Sequence, residues 1–198
     1  MRSLVTSDDS SLSFSHNTVR GFMSDTHPLI LCQNSQVCNV QNNTFEYIMA
    51  QNVLSYLYTD LGSPPTKDNN VISLNIFRDI NALNDGGAIY ANNVNLNISF
   101  NEFTRVNNSI MNRRGGAILI EGASSHDVVL LNNSFTNCCS FIGGAISFLN
   151  HEPLMLGNSF ANNSAFIFGD NFASYPQQLG PISEEQKLAV DVKYSQIP

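Results

Sequence analysis

Asp85 and Arg114 come nearest to chemistry in this chain. Each stands immediately before a glycine pair, at 86–87 and at 115–116. An acid beside a base on one surface is what a sugar-binding site, or a lyase or hydrolase moving a proton, would use, often with calcium. The equivalent positions in the next repeats are Ile142 and Phe168, so no acidic line continues. The ordinary reading of Asp85 and Arg114 is therefore a cross-strand ion pair of small value. Asp79, Glu102, Glu121, Asp127 and Glu152 are the other acids of the repeats, with no Asp-Asp or Asp-x-Asp among them. We expect no catalytic residue, and keep Asp85 and Arg114 as the binding candidates.

Other reactive side chains offer less. His16, His27, His126 and His151 fall on expected loops and share no spacing, so we expect no metal ligation. Cys32 and Cys38 are either a loop-closing disulfide or two small buried residues, while the neighbours Cys138 and Cys139 should face opposite ways on an extended segment. Without a C-x-x-C pair a zinc site is not expected. Gly-Gly-Ala-Ile, at 86–89, 115–118 and 143–146, is followed by no Lys-Ser/Thr and contains no Gly-x-Asp. It is neither a phosphate loop nor a calcium nonapeptide, and no cofactor is expected. Five sequons, at Asn42, Asn97, Asn107, Asn132 and Asn162, are candidate N-glycosylation acceptors if the protein is secreted.

Composition narrows the partners. The chain has 198 residues, 9 Lys+Arg against 16 Asp+Glu, and a net charge of -7. That balance argues against nucleic acid, which needs a cationic footprint. Hydrophobic residues make up 42%, enough for a core, and no apolar run approaches a membrane span of roughly 18–20 residues. Acids at positions 8 and 9 interrupt what would be the apolar stretch of a secretory signal, so we expect none here and read the chain as beginning inside a structural unit.

The elements that position these residues come from a repeat. Asparagine occurs 27 times, and Asn-x-Phe recurs with its Phe at 45, 77, 103, 135 and 160. The paired residues are Asn43 and Phe45, Asn75 and Phe77, Asn101 and Phe103, Asn133 and Phe135, Asn158 and Phe160. Gly86-Gly87, Gly115-Gly116, Gly143-Gly144 and a worn copy at Gly169 follow in the same order, 29, 28 and 26 residues apart. Two words recurring with one period near 28 indicate a solenoid. Alternation at Val94, Leu96, Ile98 and Phe100 is that of strands, and no ten-residue amphipathic helix separates the repeats. We therefore expect an all-β fold, a right-handed parallel β-helix of about five to seven coils. Each Phe should stack in an inner column. Each Asn should sit at a left-handed corner and bond the Asn above and below. Each glycine pair should make a turn that a Cβ would obstruct. Residues 105–114, 122–127 and 60–70 should be bulging loops, the usual place for insertions and function.

The Gly-Gly-Ala-Ile words alternating with Phe-containing Asn motifs resemble the β-helix passenger regions of chlamydial polymorphic outer-membrane proteins, which are adhesin-like. Phe160 to Pro176, ending in Ala173-Ser174-Tyr175-Pro176, is similar to the closing segment of large β-helix proteins of ciliates, and this second resemblance rests on the more specific phrase. Together they cover roughly residues 40–176. They imply the pectin-lyase-like fold and no defined activity. The expected organisation is irregular N-terminal coils over 1–40, repeats over 41–176, and a linker or capping tail over 177–198. The expected function is a non-catalytic structural or adhesive module of a larger surface or membrane-associated protein, on the extracellular face. Its partners would be surface glycans or other proteins meeting loops and coil faces. The alternative is a carbohydrate-binding or polysaccharide-degrading domain.

Overall fold

The computed structural model describes residues 3–35, 37–58, 70–108, 111–122, 128–150 and 152–174. The strands lie in three sheets, every pairing is parallel, and rung follows rung in chain order. Sheet A holds Val5–Asp8, Ile30–Gln33, Leu54–Leu57, Ile89–Asn92, Ile118–Glu121, Ile146–Leu149 and Phe172–Ser174. Sheet B holds Ser11–Ser15, Val37–Gln41, Asn70–Ser73, Leu96–Ser99, Val128–Leu131 and Leu154–Leu156. Sheet C holds Thr18–Arg20, Thr44–Ala50, Ile76–Ala82, Glu102–Asn108, Ser134–Thr136 and Ser159–Ala161, with Cys139–Ile142 and Ser164–Phe168 continuing its last two rungs. Across the described residues the chain visits A, B and C in turn six times and opens a seventh coil. This is a parallel β-helix, about 30 Å long at one strand spacing per coil.

Period-two patterning decides which side chains fill the tube. From sheet A, Ile30, Leu54, Ile89, Ile118 and Ile146 stack inward in register. From sheet B, Val40, Ile72, Ile98 and Leu130 do the same. From sheet C come Phe45, Phe77, Phe103 and Phe135, all fully buried. Their ring centroids are 5.1, 4.9 and 4.8 Å apart, with Phe160 a further 5.1 Å on. The ring spacing matches the rung spacing, so each ring lies flat on the next.

The asparagines before these rings differ from expectation in one respect. Asn43, Asn75, Asn101 and Asn133 are buried, and none has positive φ. The left-handed corner is the residue before each of them: Asn42, Leu74, Phe100 and Asn132, with His16 and Gly157 at the ends of the series. The corner turns the chain outward, which lets the next asparagine point its amide inside. There the backbone N–H and Nδ2 of Asn43 both donate to Oδ1 of Asn75, at 2.9 and 3.0 Å. The pattern repeats from Asn17 through Asn43, Asn75, Asn101 and Asn133 to Asn158. Buried backbone donors at the corner are thus satisfied by side chains from the next coil.

The glycine pairs sit where coils approach most closely. Gly86, Gly115, Gly143 and Gly169 have φ between 64° and 77°. A Cβ on Gly87 would collide with the carbonyl oxygen of Gly116, and one on Gly116 with that of Gly144. Residue 40 falls inside Val37–Gln41, and the described strands on both sides of it belong to the same three sheets. Residues 105–108 are the end of the strand Glu102–Asn108 rather than part of a bulge, because Val106 points into the core. Most of the other two expected bulges (60–69 and 123–127), His126, His151 and the tail 177–198 lie outside the described residues.

Candidate functional site

The polar cluster on the outer side of sheet A grows from the repeat itself. On Ile89–Asn92, Ile89 and Ala91 face the core, which turns Tyr90 and Asn92 outward. One coil on, Asn92 pairs with Glu121 in register. The turns before the two strands bring up Asp85 and Arg114. The Arg114 backbone N–H donates to Asp85 Oδ1 at 2.8 Å, and its Nη2 to Asp85 Oδ2 at 2.9 Å. The same Nη2 donates to Glu121 Oε1 at 2.9 Å. Tyr90 gives its hydroxyl proton to Glu121 Oε2 at 2.7 Å and accepts from Asn92 Nδ2 at 3.1 Å. The side chains of Arg114, Asp85 and Glu121 are 24%, 18% and 22% exposed. Partial burial pushes the Tyr90 phenol up to about 12, helped by its bond to Glu121. Burial works against the Arg114 cation, but Asp85 and Glu121 more than offset it and raise its affinity for its proton.

Two carboxylates facing one site are what sugar hydrolysis uses. Here the guanidinium fills the space between them. Both carboxylates accept from it. Asp85 and Arg114 are brought together as expected of adjacent coils. Glu121 and Tyr90, which complete the cluster, were missed as site residues. Asn92 and Glu121 each stand five residues past the second glycine of their repeat, so aligning on the glycines would have found the acid.

A second charged array runs over the outside of sheet C. Arg20, Glu46, Arg78 and Glu102 alternate in sign, joined at 2.5, 3.6 and 3.3 Å. Arg105 donates to both carboxylate oxygens of Asp79, at 2.5 and 2.8 Å, and that guanidinium holds the Asp79 carboxyl below the usual carboxylate range. These are cross-coil ties.

The cysteines divide as their neighbours dictate. Cys32 and Cys38 form a disulfide across the corner from sheet A to sheet B, with Cα atoms 6.3 Å apart. Cys138 points inward, where burial pushes its thiol up to about 12, while Cys139 faces outward, half-buried. His16 occupies a left-handed corner and His27 Nδ1 lies 2.7 Å from Thr26 Oγ1. Among the described residues no group of three His, Cys, Asp or Glu is placed to hold a metal ion. No described helix is long and apolar enough to cross a membrane.

No family model, no curated protein and no solved structure matches this chain. Its function therefore has to be argued from its own surface.

Proposed function

We propose that the chain is a non-catalytic structural or adhesive β-helix module of a larger surface or membrane-associated protein. The observation that carries this reading is the closure of the Asp85–Arg114–Glu121–Tyr90 cluster on itself: each polar side chain in it already has its partner within the cluster. Such a network fixes coil to coil and leaves little with which to grip a reacting substrate.

Two further observations fit an exposed module that makes contacts. The outer face of sheet B changes along the rod. Its first rung presents Ser11, Ser13 and Ser15, and its sixth presents Leu154 and Leu156, 61% and 64% exposed. Leu74 and Phe100 project from adjacent corners of the same edge. Exposed apolar side chains grouped on one edge are what contact surfaces use. The Cys32–Cys38 disulfide belongs to oxidising compartments, as does a cell-surface protein.

The test is incubation of the purified chain with pectate and calcium, following unsaturated product by ultraviolet absorbance. No product is expected, and release of product would sink the non-catalytic reading. The alternative, a carbohydrate-binding domain, draws support from Tyr90 standing beside two carboxylates on an outer face. A glycan array decides it: a signal that disappears with Asp85→Ala would move the cluster from a structural to a binding role.

A further inference from the structure

The five sequons occupy two kinds of position. Asn42, Asn132 and Asn162 are exposed residues at left-handed corners, with φ of 55°, 52° and 54°. Their side-chain amides make no hydrogen bond to another described residue. Asn132 also has space reserved for it: its Oδ1 lies where a Cβ on Gly157 would stand, and Gly157 has none.

Asn97 and Asn107 lie inside strands instead. Asn97 is held in register between Val71 and Val129, and its Oδ1 is buried. Asn107 stands between Asn81 and Cys139, and its Oδ1 accepts from Cys139 Sγ at 3.2 Å. A strand residue has a neighbour about 4.8 Å away on each side, less than the width of a sugar ring. The three corner asparagines have rung neighbours as well, but their side chains are exposed rather than held within a sheet face.

We propose that the folded, exported protein carries N-linked glycans on Asn42, Asn132 and Asn162 and bare carboxamides on Asn97 and Asn107. In the transfer the carboxamide nitrogen attacks C1 of a lipid-diphosphate-linked oligosaccharide. The C1–N bond forms, the C1–O bond to the diphosphate breaks, and the amide nitrogen gives one proton to a base of the transferase. The donor reaches the chain before the coils close, so the fold decides which modified chains still close. A sugar at the three corners lies outside the helix. A sugar on Asn97 or Asn107 has to displace both rung neighbours. This proposal rests on the surface-module reading, since the transferase works in the secretory compartment.

The experiment places the full chain behind a cleavable secretory leader in a eukaryotic cell. Peptide mapping after enzymatic deglycosylation in ¹⁸O water then marks each formerly occupied Asn. Label is expected at Asn42, Asn132 and Asn162, with Thr44→Ala, Ser134→Ala and Ser164→Ala each removing one. Label at Asn97 or Asn107 in the secreted chain, or secreted folded chain bare at the three corners, overturns the proposal. If the chain is retained in the cell, Ser99→Ala with Ser109→Ala should restore secretion, and failure to rescue it also overturns the proposal. The surface-module reading fails separately. Corner glycans in the leader-driven protein, with bare asparagines and reduced Cys32 and Cys38 in protein from its natural source, would sink that reading and leave the corner assignment standing.

Discussion

Asn75 gives both its backbone N–H and its Nδ2 to one oxygen, Oδ1 of Asn101, each at 3.0 Å. Asn101 repeats this toward Asn133, and its Nδ2 also donates to the Ile72 carbonyl. One buried amide therefore serves two coils. Asn101→Ala leaves several buried groups without partners and should cost about 3 kcal/mol or more in urea unfolding. Asn101→Asp keeps the acceptor but faces the Ile72 and Asn133 oxygens with no donor. Its buried carboxylate should titrate above the unfolded value, so the variant's stability is present in acid and lost as pH rises through the folded pKa. Equal midpoints for this variant at pH 4 and pH 7 would refute the ladder's donor count.

The Phe column makes a graded prediction. Phe103 lies fully buried between Phe77 and Phe135, with interplanar angles of 2° to each. Phe103→Ala should cost about 3–5 kcal/mol through lost transfer and an unfilled cavity, and Phe103→Leu clearly less. Phe166→Ala, at a ring 79% exposed, should change the midpoint little. If Phe103→Ala and Phe166→Ala cost the same, the column does not hold the rod together.

Glycines with the same left-handed backbone separate strain from crowding. Gly21 has φ 71° and nothing within 4 Å of an added Cβ, so Gly21→Ala should cost only the left-handed penalty of roughly 1–2 kcal/mol. Gly115, at φ 64°, adds backbone contact with Ile118 to the same penalty. Gly115→Ala should therefore destabilise by several kcal/mol more than Gly21→Ala. Calorimetric melting of the two single variants checks the difference.

The sequence made the columns legible because identical neighbours have to stack. One Phe or one Gly-Gly per coil leaves a period that survives loop insertions. The inward side of each strand followed from alternation at positions such as Leu96 and Ile98. What the sequence hid was which residue of a corner bends. Asn42 and Asn43 are the same amino acid, but one is exposed at φ 55° and the other buried in the ladder. Leu74 and Phe100 hold that corner against their own backbone preference, because the ladder bonds of Asn75 and Asn101 fix the chain on the far side. Glu121 aligns with Asn92 on the glycines, but its contact with Arg114 comes from across a whole strand of its own coil, which that alignment does not show.

Removing the cation from the outer cluster tests how that cluster is balanced. Arg114→Ala leaves Asp85 and Glu121 facing each other across the space it filled. We expect a loss of roughly 1–3 kcal/mol at pH 7, since the groups are only partly buried. Glu121→Gln in the same chain should recover part of it by removing the like charge. If Arg114→Ala is as stable as the parent at pH 7, the cluster is not a coil-to-coil clamp.

Alkaline pH gives an independent reading of the same cluster through Tyr90. Its phenol is held up to about 12, against 10.0 for a free tyrosine, by burial and by its bond to Glu121. Because the folded value is the higher one, the neutral phenol favours the native state. The stability it contributes is complete below pH 10 and is lost as pH rises from 10 toward 12. Tyr56, fully buried and bonded to the Cys38 carbonyl, is raised by burial as well and titrates only with unfolding. Absorbance at 295 nm should therefore show these two phenols silent near pH 10.5. In Tyr90→Phe the slow fraction should fall by one tyrosine, and the fall in melting temperature between pH 10 and 12 should be shallower. A slow fraction unchanged by the substitution would mean that Glu121 and the covering turn do not hold the phenol.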